Sequence, residues 1–133
     1  MKQYIGTKII RAEQQYRLRP GDHVPDDGYK VVYPDGYESW SPAASFDEAY
    51  RPCDAMTFGL AIEAMRKGKK VQRVGWNGKG LWLELQVPDA HSKMTLPYIF
   101  MSYPNDAQNT PGARVPWLAS QTDMLAEDWR IVE

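Results

Sequence analysis

Cysteine and histidine are nearly missing from this chain. One cysteine, Cys53, and two histidines, His23 and His91, in 133 residues exclude an internal disulfide and any metal knuckle built from several thiolates. Neither histidine stands in a ligand spacing such as His-Glu-x-x-His, and both fall in loops, where a solvated role is the expectation. A lone thiol fits a reducing compartment. Charge of one sign is lacking as well. Sixteen Lys and Arg against seventeen Asp and Glu leave a formal charge of −1, too weak a field for a protein that wraps polymeric nucleic acid. No stretch approaches the roughly 20 apolar residues of a membrane helix, and Met1 to Arg11 has no signal-peptide core, so an intracellular, membrane-free protein is expected. Nucleophile elbows of the Gly-x-Ser-x-Gly type and Gly-Lys-Ser/Thr phosphate loops do not occur. Gly75, Gly78 and Gly80 lie between two expected strands, which is not the setting of a dinucleotide fingerprint. Glu127 and Asp128 are neighbours on a turn, and neighbouring side chains point apart, so they do not make a general acid and base pair. The expectation is no catalysis, no cofactor and no metal.

The chain length suits one ordinary domain, or a compact domain with an appendage. Residues 1–52 read as an N-terminal β-hairpin module. Tyr4 to Ala12 is expected as one strand, Tyr29 to Tyr33 as a second, and Tyr37 to Trp40 as a third after the Pro34-Asp35-Gly36 turn. Ser45 is expected to cap a short helix from Phe46 to Tyr50. From residue 53 to 133 the pattern changes. Phe58, Ala61, Ile62 and Met65 fall at i, i+3, i+4 and i+7, one face of an amphipathic helix with Thr57 as its N-cap and Gly68 as its stop. Strands are expected at 70–74, 81–87, 96–101, 115–118 and 129–132, with Asn77-Gly78 turning the first hairpin. The fold class is therefore α+β: a mainly antiparallel sheet packed with one principal amphipathic helix, plus the N-terminal module. A core this small favours association between copies.

What the sequence has in abundance is tryptophan beside neutral hydrogen-bonding groups. Arg73-Val74-Gly75-Trp76-Asn77 and Trp117-Leu118-Ala119-Ser120-Gln121-Thr122-Asp123 set indoles next to amides and hydroxyls, the equipment for holding a purine base. Stacking on a base contributes about 1–3 kcal/mol, and polar edge contacts add specificity. Each residue also has a plainer reading. Trp76, at a hairpin tip, is either a ligand platform or a lid over the core. Trp82 alternates with leucines and belongs to the core or to a subunit contact. Ser120 and Asp123 match a capping box. Arg66, Lys67, Lys69, Lys70, Arg73 and Lys79 place six cations in fourteen residues without an acid, either a solvated helix end or a phosphate site. Arg73 is set apart by its place in a strand, where a guanidinium is able to fork onto a pyrophosphate.

These segments, with Met56-Thr57-Phe58 and Gly68-Lys69-Lys70-Val71, resemble those of a phage domain family first catalogued without a function, the second type of Thoeris anti-defence protein. The similarity spans about residues 55 to 133, and its most specific part is Val115 to Trp129. The resemblance implies a sponge: a protein, acting in the host bacterial cytoplasm, that sequesters cyclic ADP-ribose-type immune signals (glycocyclic ADP-ribose) without cleaving them. It implies a homotetramer with pockets between subunits, and binding at Trp76, Asn77, Trp117, Gln121, Thr122 and Asp123; Arg73 and Ser120 join these from the residue reading. Some relatives also hold cyclic dinucleotides, which raises a second ligand class. Tyr33 to Pro42 resembles a small module fused to various phage proteins. Two rivals stand beside the sponge: a phage accessory or structural module whose tryptophans bury a protein interface, and a cyclic-nucleotide phosphodiesterase, which would need a metal or an acid and base pair.

Overall fold

A computed structural model of the chain describes residues 1–76 and 80–133. They form two compact units, Met1–Arg51 and Pro52–Glu133. The expected Asn77-Gly78 turn lies outside the described residues.

The first unit is a three-stranded antiparallel sheet in the order β1-β2-β3, with β1 Arg11–Gln14, β2 Gly28–Val32 and β3 Glu38–Pro42, followed by helix α1, Ala43–Ala49. The Pro-Asp-Gly turn forms as expected. Gly36 takes φ 89°, and the Asp35 carboxylate accepts from the Tyr37 N–H at 3.0 Å. The first strand is shorter and later than expected, because its register runs Arg11 opposite Val32 to Gln14 opposite Tyr29, and residues before Arg11 lie past the end of the partner strand. Helix α1 also starts early. Pro42 is its N-cap without a side-chain bond, and the Ala43 N–H is taken by the Asp27 carbonyl at 3.0 Å, so Ser45 has no capping task. Phe46 stacks on Tyr29 with ring centroids 4.0 Å apart. The Trp40 indole donates to the Gln15 carbonyl at 2.8 Å under the Arg17 guanidinium, 3.8 Å above the ring. Gly28 makes this possible, since a Cβ there would fall inside contact distance of the Trp40 ring and the Ser41 carbonyl. Gly28→Ala is accordingly expected to cost about 1–3 kcal/mol by overpacking and to raise protease cleavage within residues 1–51; unchanged cleavage would show that β3 gives way.

The second unit is a five-stranded, fully antiparallel sheet in the order β7-β6-β5-β4-β8. Its elements are α2 Phe58–Arg66, β4 Lys70–Arg73, β5 Trp82–Gln86, β6 Tyr98–Ser102, β7 Arg114–Pro116, α3 Gln121–Leu125 and β8 Trp129–Val132. Helix α2 is the one the periodicity predicts: Thr57 caps it through the Leu60 N–H at 3.3 Å, and Gly68 ends it at φ 82°. It covers one sheet face. Met56, Ala61, Ala64, Met65, Val71, Leu83 and Trp129 are buried together there. Alternation puts Trp82 on the opposite face, paired with Ser102, where its N–H donates to Glu84 at 3.0 Å and Lys70 sits 5.0 Å from its ring. Trp82 is thus outside the core its leucine neighbours enter. With one face of the sheet packed and strands joined mostly as hairpins, the fold is α+β dominated by antiparallel sheet.

Candidate functional site

Three segments converge where β4 ends: the β4 exit at Arg73, α3 with its N-cap, and the start of β8. Trp129, fully buried at the first residue of β8, is opposite Arg73 in the ladder. Around it stand Trp76, 5.3 Å away at 79°, Trp117, 6.1 Å away at 83°, and Phe58 at 5.2 Å. Trp76 and Trp117 are 6.3 Å apart and tilted 58° to each other. Both are half-buried. Each meets Trp129 in a T-shaped contact and keeps part of its surface exposed, so Trp76 packs against the core as a lid would.

Asp123 ties these segments together. Ser120 caps α3 through the Asp123 N–H at 3.0 Å, as a capping residue should. The Asp123 carboxylate, however, is turned onto other groups: one oxygen accepts from Arg73 Nη1 at 2.8 Å and from Trp76 Nε1 at 3.1 Å. Its carbonyl accepts from the buried Trp129 indole at 3.0 Å. Arg73, its side chain 17% exposed, also gives Nε to Asp128 at 2.8 Å. Burial alone would raise the Asp123 carboxyl, but hydrogen bonds from Arg73, Trp76 and Ser120 and the guanidinium charge hold it below its ordinary value. The Arg73 hydrogen bond does the same for Asp128 against its own burial, helped by the Gly75 N–H. The guanidinium is raised in turn, by Asp128 first and then Asp123.

A pH dependence follows. With both carboxyls depressed on folding, the cluster stabilises the second unit fully above the unfolded carboxylate pKa of about 3.9. That contribution is lost as pH falls from there through the lowered folded values. Thermal melts across this acid range should show a steep loss of stability, flattened in Asp123→Asn/Asp128→Asn; an equally steep loss in the double variant would place the acid sensitivity elsewhere.

Of the residues singled out from sequence, Arg73, Trp76, Trp117, Ser120 and Asp123 come together here. Gln121 and Thr122 are exposed on the first turn of α3, and Asn77 lies outside the described residues. Phe58, Gly75 and Asp128 belong to the same cluster and were not singled out for it. Asp128 stands 55 residues from Arg73, and only the β4–β8 pairing brings them together. A separate cleft of about 560 Å³ is lined by residues including Leu81, Tyr103, Pro104, Asp106 and Asn109, and holds none of the site residues. Among the described residues no group of three or more His, Cys, Asp or Glu is arranged to hold a metal, and no helix is long and apolar enough to cross a membrane. What the arrangement presents is two partly exposed indoles and the exposed amide and hydroxyl side chains of Gln121 and Thr122.

Comparison with known proteins covers this same unit. The Tad2-like family model, described as the Thoeris anti-defense 2-like domain, matches residues 56–132. The chain is also similar to Thoeris anti-defense 2 of Bacillus phage SP01, 40% identical over 88 residues that represent 58% of this chain and 94% of the relative. Every candidate site residue falls within the matched span.

Proposed function

Because the chain belongs to the Thoeris anti-defense 2-like family, we propose that it is an anti-defence protein that captures a cyclic ADP-ribose-type immune signal, a glycocyclic ADP-ribose, and keeps it intact. The observation that carries this reading is the pair of half-open indoles, Trp76 and Trp117, fixed on Trp129 and beside the polar first turn of α3. The rings take the base. Gln121, Thr122 and Asp123, with Ser120 beside them and with Asn77, supply its hydrogen bonds, and Arg73 holds the wall together from behind.

Sequestration asks for more than a surface stack. Nanomolar binding is about −12 kcal/mol, against about 1–3 kcal/mol for one stacked base. The remainder calls for an enclosed pocket. Leu118, 92% exposed, and Leu125, 77% exposed, flank the site in sequence and supply apolar surface for a second copy to cover, in keeping with a homotetramer whose pockets lie between subunits. The unit Met1–Arg51 lies outside the matched span, and in this reading it is an accessory that supports the assembly.

Calorimetry against cyclic ADP-ribose isomers and cyclic dinucleotides tests the proposal. Nanomolar binding of a cyclic ADP-ribose isomer is expected, and heat with a cyclic dinucleotide would widen the ligand class. Absence of heat with every compound would overturn the sponge and favour a module that uses the same exposed apolar residues to dock on a protein.

A further inference from the structure

Asp128 accepts from three consecutive residues. Its carboxylate takes Arg73 Nε on one oxygen and the Gly75 N–H on the other, both at 2.8 Å, while its carbonyl takes the Val74 N–H at 3.0 Å. These bonds carry the β4–β8 pairing past its last ladder partner, Arg73 opposite Trp129, and into the turn that delivers Trp76. The Trp76 N–H then closes back on the Arg73 carbonyl at 3.4 Å, and its indole reaches Asp123. Gly75 is fitted to the same contact. A Cβ there would sit 2.8 Å from the Asp128 oxygen and 3.4 Å from Arg73 Nη2, so a larger residue would push the carboxylate off the backbone N–H.

We infer that Asp128 is a positioning residue for the ligand wall: by holding Arg73, Val74 and Gly75 it sets the orientation of Trp76 and keeps Arg73 as an internal counter-ion instead of a phosphate receptor. This rests on the ligand-capture reading. One guanidinium between two carboxylates leaves the cluster at a net −1. A ligand's phosphates are repelled from such a cluster, and its uncharged base is the part that belongs on the indoles. Arg73 is also poorly placed to turn outward, with two of its nitrogens already in 2.8 Å ion pairs.

Asp128→Asn tests this, because the amide keeps the shape but offers one acceptor where the carboxylate offers two. With a cyclic ADP-ribose isomer as the probe, affinity is expected to fall at least about tenfold. In ¹H–¹⁵N spectra the Gly75 amide and Trp76 indole signals should move while the amide of the fully buried Leu83 on β5 stays in place, which general destabilisation would not produce. Should the Asn variant not fold, Asp128→Glu keeps the charge but displaces the carboxylate by a methylene, and carries the same comparison. Equal binding by the variant, with the Trp76 signal unmoved, would overturn the inference, and tighter binding would overturn it and make Arg73 a direct phosphate contact. Movement of the Leu83 amide together with the others would reduce Asp128 to a general stabiliser and overturn it too. Failure of the unsubstituted protein to bind the probe is a different result, and it removes the ligand-capture reading itself.

Discussion

Trp129→Ala is expected to collapse the second unit. The indole is fully buried, touches Phe58, Trp76 and Trp117, and donates to the Asp123 carbonyl. Its backbone exchanges hydrogen bonds of 2.8 and 3.1 Å with Met56, just ahead of the α2 cap. Emptying a site of this size costs about 3–5 kcal/mol, and leaving the Asp123 carbonyl without its donor adds about 1 kcal/mol. Set against a total of about 5–15 kcal/mol for an ordinary domain, that consumes a large part of the stability. At roughly 4–8 °C per kcal/mol for a domain of this size, the midpoint should fall by more than about 15 °C, read by circular dichroism. A fall of only a few degrees would mean that Phe58 and α2 hold the sheet without the central indole.

Trp117→Ala is expected to act on the ligand more than on the fold. Trp117 is half-buried and borders the core at its edge, so its loss is tolerated better than that of Trp129. A lost base stack weakens binding by about 1–3 kcal/mol, close to 5- to 150-fold. Trp76→Ala should do the same, and the two losses should not add, since both rings rest on Trp129. Calorimetry gives the affinity and light scattering the assembly. Assembly retained with binding weakened supports the wall as described, whereas loss of assembly would assign these indoles to the contact between copies.

Local signals in the sequence were good guides wherever the physics is local. The spacing of Phe58, Ala61, Ile62 and Met65, the Thr57 cap and the Gly68 stop define α2 because caps and periodicity act within a turn. The Pro34-Asp35-Gly36 turn needs only its own backbone. Strand bounds were less accessible. Arg11–Gln14 is a strand because β2 lies opposite, not because of its own residues, and α1 begins at Ala43 because the Asp27 carbonyl receives its first N–H. At the site, indoles, hydroxyls and amides could be picked out by type, and so could the Ser120 cap. What composition does not reveal is that Asp123 turns its carboxylate away from the cap to Arg73 and Trp76, or that Asp128 grips the other side of the same guanidinium. Both depend on β8 returning beside β4 across more than fifty residues.

The central claim is that the indole wall keeps its ligand without altering it. The most direct measurement is to incubate the protein with a purified cyclic ADP-ribose isomer, remove the unbound fraction, release the remainder by heat or protease, and identify it by chromatography and mass. The account predicts the same cyclic molecule, recovered in proportion to the protein. Recovery of a linear or hydrolysed product would contradict it and make the protein an enzyme.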